Sequence, residues 1–474
     1  MQLKNKYSIF EIFRLPFRSS PGLTTICLVD KLLASLVPSM TILATASFID
    51  SAIAIFNGRA QGGALIAPLI YIALLIAYQS IEQTFMNFIL EKQRIRMNET
   101  FRLAVAEKRA RLAFEHIEDD VTWELLFRVG DRAGEKALYG FEMIIGLAGM
   151  AVQAVSVLAL LFAQIWWAAI VILLSAVPLF FVAVKSGEKD YKASGERDKN
   201  FRRANYFRDI LTDRENVEER ALFSYSESID KDFISAIDKG RKVFTKTLGH
   251  TMIRRKFAGL ITILISLIIM SVLIPPLGSG ALTIGLFIGL VTGTLSLVNM
   301  LSWSLGYHTS EMTGVRMYFN EVAKLASLSE TRDALCAASM ATQPGCIEFV
   351  NVSFRYPQTD VDVLKNLSMK LFAGKHYAFV GINGAGKTTI TKLLTGLYDT
   401  YEGDIFIDGR NLKTIEQAEI KGLFGVVYQD FAKYSVSLFD NIAMGNLRNP
   451  PSEAQAKAAA HIVGLDEAIA GATG

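Results

Sequence analysis

Three glycines, a lysine and a threonine stand at fixed spacing in Gly381-Ile382-Asn383-Gly384-Ala385-Gly386-Lys387-Thr388. That spacing suits one kind of chemistry. Glycines let backbone N–H groups curl round a phosphate, and a helix starting at their far end adds its positive dipole end. Lys387 then reaches the β and γ oxygens of a nucleoside triphosphate such as ATP, the Thr388 hydroxyl ligates Mg²⁺, and Thr389 follows on the same helix start. The bare pattern also occurs by chance, so its setting decides: a strand must precede it and a helix must follow.

Both are predicted here. HYAFV at 376–380 has the composition of a strand, and TTITKLLTGL from Thr388 onward that of a helix. Further strands are expected at 346–356, 367–372, 404–408 and 423–428, where β-branched and aromatic runs are broken by Gly, Asn and Asp. Residues 346–474 therefore read as an α/β P-loop nucleotide-binding domain, and the polar and small residues of 313–345 as the linker before it.

What precedes the linker is of another kind. The chain is 51% hydrophobic with a mean hydropathy of +0.31, too apolar for a soluble enzyme. A helix needs roughly 20 apolar residues to cross the hydrocarbon core, and six stretches of about that length occur, at 24–48, 64–90, 137–163, 165–184, 258–277 and 282–303. Gln164, Trp166 and Trp167 suit a tight interfacial turn between the third and fourth. The segments assigned outside contribute only Arg59, whereas 91–136 holds about ten Lys and Arg and 185–256 nearly twice as many. Both termini are therefore placed inside, with residues 1–23 as a cytosolic lead-in along the membrane and 24–312 as the six-helix domain.

The two long basic segments carry no proline and suit helices that continue straight out of the membrane, from 91 to 114 for roughly 35 Å. Two short amphipathic pieces, 119–129 and 211–224, fall near the turning points and offer apolar edges to another domain. Within the first span lie Asp30 and Lys31. An ionisable residue in a membrane helix is a functional candidate, but this adjacent pair near the cytosolic end also suits a snorkelling lysine beside a water-facing carboxylate. Glu82 and Glu142 stand near the same interface.

The charge balance of +3 gives no reason to expect a nucleic-acid partner. Cys27, Cys336 and Cys346 are too few and too scattered for a disulfide framework, a zinc site or a redox pair. Six regular spans with basic loops exclude a soluble P-loop ATPase with a hydrophobic tail.

Around the P-loop, further motifs appear in order: VSFRYP with Tyr356 upstream, then GVVYQD with Gln429 and SLFDNI at 437–442 downstream. In these motifs, in the six-helix topology and in DRENVEERALF at 213–223, the chain resembles ABC transporters of the exporter type over almost its whole length. The resemblance implies that Tyr356 stacks on adenine and that the Gln429 amide reaches Mg²⁺ and its water. It also implies that the 211–224 piece docks on a second half-transporter subunit, the two forming a homodimer or heterodimer. The fold so implied is a membrane all-α six-helix exporter domain followed by an α/β nucleotide-binding domain that is incomplete. The family's signature LSGGQ segment, its Walker B Asp and Glu and its switch histidine have no counterpart in the sequence. Asp466 and Glu467 in IVGLDE lie too close to Gln429 to serve, follow no signature segment and suit a helix end, and His461 has no claim to be the switch residue. Two expectations follow. One is a C-terminally truncated exporter half, multi-pass in a bacterial plasma membrane, that moves an unidentified lipid, drug or peptide. The other is a non-hydrolysing ATP-binding subunit that regulates a complete homologue.

Overall fold

The computed structural model describes residues 2–130, 132–163, 166–339, 342–357, 359–428, 431, 434–446 and 449–465. Two compact units result. One comprises Met1–Lys108 with Glu124–Ser327, and the other Arg109–Trp123 with Leu328–Gly474.

The first unit is helical. Helix α1 (Ile9–Ser19) is capped by the Ser8 hydroxyl, which accepts from the Glu11 amide, and it buries Ile12 and Leu15 while exposing Ile9 and Phe10. Pro21 opens α2 (Pro21–Ala34), where a missing N–H costs nothing, and a turn at Ser35 and Leu36 separates it from α3 (Val37–Phe56). Helix α4 (Ile66–Met97) runs through a π-helical turn (Asn98–Arg102) into α5 (Leu103–Arg111), so the helix expected to continue from 91 to 114 is helical to Arg111. After the short α6 (Phe114–Glu118) and α7 (Asp120–Val129) comes α8 (Ala133–Phe162). Two helices of 47 residues each follow, α9 (Trp166–Thr212) and α11 (Ser226–Val272), each roughly 70 Å long and joined through α10 (Val217–Phe223). The short α12 (Ile274–Gly278) then leads to α13 (Ile284–Asn299) and α14 (Leu305–Ser327).

Three continuous stretches among the described residues are long and apolar enough to cross a membrane: Pro21–Phe56, Gly62–Arg111 and Ala133–Phe162. Two shorter apolar helices are Leu267–Gly278 and Ile284–Asn299. Of the turn expected at Gln164, Trp166 and Trp167, Gln164 lies outside the described residues and the two tryptophans open α9; many side chains of the expected fourth and fifth spans also lie outside the described residues.

Close approach of α3 and α13 rests on small residues in register. Gly285, Gly289 and Gly293 share one face of α13 and meet Ala46 and Ile42 of α3. At the end of this contact the Asp50 carboxylate accepts from the Thr283 hydroxyl (2.7 Å) and the Gly285 amide (2.8 Å). Nearer the opposite end of the spans, Asp30 accepts from Tyr78 at 3.5 Å, and the stem of Lys31 lies against Gly149.

The second unit carries an antiparallel sheet of order β2-β1-β3-β4, formed by β1 (Cys346–Arg355), β2 (Asp362–Phe372), β3 (Glu402–Ile407) and β4 (Arg410–Asn411). Phe349 of β1 stands opposite Met369 of β2 and Ile405 of β3. Phe349, Val352, Phe354 and Ile405 form a core with Ile390 and Leu393 of α15 (Lys387–Leu394) and Ile420 of α16 (Gln417–Leu423). Helices α17 (Leu438–Ala443) and α18 (Glu453–Ile462) complete the unit.

Two expected strands do not form. Residues 376–380 and 423–428 belong to no ladder, Leu423 ending α16, and Val380 and Val427 are 95% and 94% exposed. The prediction rested on composition, and a parallel core strand needs more than apolar residues. Its edges must be paired and both its faces covered, and among the described residues nothing pairs with either segment.

Candidate functional site

The P-loop lies at the start of α15. Gly384 and Gly386 take φ of 85° and 87°, in the left-handed region that glycine adopts freely. At Gly386 there is a second reason for glycine, because a β-carbon there would fall 2.8 Å from Leu364 Cδ2. The exposed loop of Gly381, Ile382, Asn383, Gly384 and Ala385 is thereby bent back over the helix end. Lys387 closes the curve: its ammonium donates to the carbonyls of Gly381 (2.7 Å) and Ile382 (2.9 Å). The Thr388 side chain is exposed at the helix start, whereas Thr389 is buried beneath it. Glycines with free amides, a lysine held over the loop and an exposed hydroxyl at a helix N-terminus fit a triphosphate with its cation.

Tyr356, half-buried just beyond β1, is brought to the same helix. Its hydroxyl is 3.0 Å from Thr389 Oγ1, and its ring meets Phe354 and Tyr398 edge-on at 5.0 and 5.6 Å. The structure therefore gathers Tyr356, the loop and Thr389 round one end of α15. Gln429 lies outside the described residues, as do Asp466 and Glu467. Ile462 closes α18, so the apolar run before Asp466 is a helix end and not a strand. The 437–442 segment forms a capped turn in which the Ser437 hydroxyl accepts from the Asp440 amide and Asn441 donates to the Tyr434 carbonyl.

Two contributors were not found by sequence reasoning. Lys392, one turn after Thr389 on α15, places its ammonium over the rings of Tyr356 (5.1 Å) and Phe114 (5.3 Å) and bonds to the carboxylate of Glu118. Glu118 also accepts from the Tyr398 hydroxyl. Phe114 and Glu118 belong to α6, one turn upstream of the amphipathic piece expected to meet another domain. Burial lowers the pKa of Lys392, but Glu118 and Tyr356 outweigh it and hold the ammonium above its ordinary value. Burial, with Glu118 adding to it, raises the Tyr398 phenol. The i, i+3 spacing of Thr389 and Lys392 puts both on one helix face, and that was the only trace in the sequence.

A glycine loop at a helix start in one unit, and long apolar helices in the other, can be compared with known proteins. Residues 364–472 match the family model described as ABC transporter. The chain is 26% identical over 345 residues to the subtilin transport ATP-binding protein SpaT of Bacillus subtilis, covering 72% of this chain and 56% of that protein. It is 40% identical over 99 residues to the ATP-dependent lipid A-core flippase of Escherichia coli K12, covering 21% of this chain and 17% of the flippase. The structure of a bacterial Atm1-family ABC exporter with ATP bound superposes with a TM-score of 0.75 over 94% of this chain and 78% of that one, at 22% identity. Residues 364–472 thus carry the match to the ABC transporter family model, and the chain shares the fold of a bacterial Atm1-family exporter. It spans little more than half the length of its subtilin-transport relative.

Proposed function

We propose that the chain is the ATP-binding half of a dimeric exporter of a lipid, drug or peptide, multi-pass in the plasma membrane with both termini cytosolic. One observation carries this reading: Lys387, Thr388 and the loop from Gly381 to Gly386 form a phosphate cradle at the start of α15, in a chain that also carries membrane-length helices. In the bound state Lys387 exchanges its two carbonyl partners for phosphate oxygens. Thr388 and Gln429 hold Mg²⁺, and Tyr356 supplies a stacking surface for adenine. Names of the relatives, one for subtilin transport and one for flipping lipid A core, support a hydrophobic or amphipathic cargo. ATP binding closes two nucleotide units against each other, and the two coupling pieces pass that closure to the helices. Such a shift requires that ATP bind the closed state more tightly than the open one.

Among the described residues none has the type and setting to activate an attacking water, and the reading proposed for them is ATP binding without turnover. The test is equilibrium ATP binding and vanadate-sensitive ATPase activity of the reconstituted chain, beside Lys387→Ala. ATP binding that falls at least tenfold in the variant, with turnover no higher than the variant's, is the expected result. If the unmodified chain binds no ATP, the nucleotide reading fails. If it shows turnover that Lys387→Ala removes, the claim of binding without hydrolysis fails.

A further inference from the structure

Lys392 lies where three contacts meet. Its ammonium is bonded to Glu118, lies over the face of Tyr356 and lies over the face of Phe114. Tyr356 in turn is pinned at its hydroxyl by Thr389, the residue after Thr388 of the P-loop, and along its ring by Phe354 and Tyr398. Tyr398 bonds to Glu118 as well, and Phe114 meets Tyr398 edge-on at 5.6 Å. Residues 114–118 are thus tied to three pieces of the nucleotide unit more than 200 residues away: the end of β1, α15 and the turn carrying Tyr398. The site is partly desolvated, with the Lys392 and Glu118 side chains 21% and 35% exposed.

We infer that Lys392 is a positioning residue that holds Tyr356 as a base-stacking surface, and that Glu118 governs it, so that docking of the 109–123 segment and binding of the purine strengthen each other. The inference rests on the proposed ATP-binding reading of Tyr356 and goes beyond it by naming what sets the ring. Its physical content is preorganisation: a ring already fixed on its hydroxyl, its edge and one face loses less freedom when a base stacks on it. Glu118 is the counter-charge that keeps Lys392 over the ring in this half-buried place. Without that carboxylate the ammonium turns to water and the ring loses its cation. Coupling of this kind is reciprocal, so whatever seats Glu118 tightens purine binding, and purine binding seats Glu118.

Lys387 reaches the loop carbonyls of Gly381 and Ile382 without the Tyr356 ring, and a ligand with no base separates the inference from the reading beneath it. Binding of Mg-ATP and of Mg-tripolyphosphate, which has no base, is measured calorimetrically on the full chain in lipid nanodiscs. Lys392→Met is expected to weaken ATP by about threefold to thirtyfold, the range of a partly desolvated cation–π contact, and to leave tripolyphosphate unchanged. Glu118→Gln shifts ATP in the same direction although it touches no nucleotide, Lys392→Arg retains wild-type binding, and the double variant Glu118→Gln/Lys392→Met is no weaker than Lys392→Met. Equal losses on both probes would show that Lys392 merely supports the folded P-loop helix, and that overturns the inference. So does unchanged ATP binding in Lys392→Met, or a loss in Lys392→Met that Glu118→Gln does not share. If the unmodified chain binds tripolyphosphate but not ATP, Tyr356 is no base platform and the inference falls while the cradle stands. If it binds neither, the nucleotide reading itself falls.

Discussion

Gly384 and Gly386 separate two reasons for glycine in one loop. Both have positive φ, but a methyl at Gly384 meets open space, whereas one at Gly386 meets Leu364 at 2.8 Å and Val363 at 3.3 Å. Gly384→Ala should therefore cost only the left-handed strain, about 1–2 kcal/mol. Gly386→Ala adds a collision with a buried core leucine and should cost about 2–4 kcal/mol while removing ATP binding. Denaturant unfolding of the two variants checks the order; equal costs would mean that Leu364 gives way freely. At the same end of the helix, Lys392 yields a pH prediction. A lysine whose pKa is raised on folding contributes in full below its unfolded value, and the contribution is lost as pH climbs through the folded value. For Lys392 both lie at or above 10.5. The ratio of ATP affinities between wild type and Lys392→Met should therefore stay flat between about pH 6 and 9, and a slope there would place the controlling charge elsewhere.

At the scale of elements, α3 and α13 approach through glycine. A β-carbon at Gly285 would collide with the Ala46 carbonyl oxygen, which is backbone and cannot move aside, while one at Gly289 would stand at the larger distances of 2.9 Å from Ile42 Cγ2 and 3.2 Å from the Ile42 carbonyl oxygen. Gly285→Ala should thus lower the thermal midpoint in detergent clearly more than Gly289→Ala. Asp50→Ala, which leaves the Gly285 amide without its partner, should cost about 1–3 kcal/mol. A reversed order of the two glycine variants would mean that the helices separate easily. The sequence disclosed the helices of this pair, because apolar length and turn residues are local signals. It did not disclose their register, since small residues at 285, 289 and 293 acquire meaning only once Ile42 and Ala46 are known to face them. The nucleotide unit shows the same division. The turn at 381–386 before a helix was legible, because its glycine pattern lies within eight positions. Lys392 and Glu118 were not, since 274 residues separate the partners. The runs at 376–380 and 423–428 have strand composition but no paired edge, and composition by itself does not make a ladder.

For the whole molecule, the tip between the two 47-residue helices has the most to say. Helix α10 ends at Ser224 in the left-handed region, and Leu222 and Phe223 stand 76% and 66% exposed beside Val217 at 42%. Neighbouring large apolar side chains at the far end of helices that run roughly 70 Å are poorly explained by contact with water, and they suit a surface that another protein covers. In the proposed exporter that cover is the nucleotide unit of a second half-transporter subunit, and two copies of this chain are the simplest case. Leu222→Asp with Phe223→Asp places two carboxylates in that contact. In the proposed exporter ATP binds the closed pair more tightly, so ATP affinity per chain should fall as the paired species in nanodiscs falls to single copies, although neither residue belongs to the compact unit that holds the P-loop. Native mass spectrometry reads the copy number and calorimetry the affinity on the same sample. Pairing that survives the two aspartates would place the interface elsewhere on the long helices. ATP affinity that stays unchanged as pairing is lost would mean instead that ATP does not favour the closed pair.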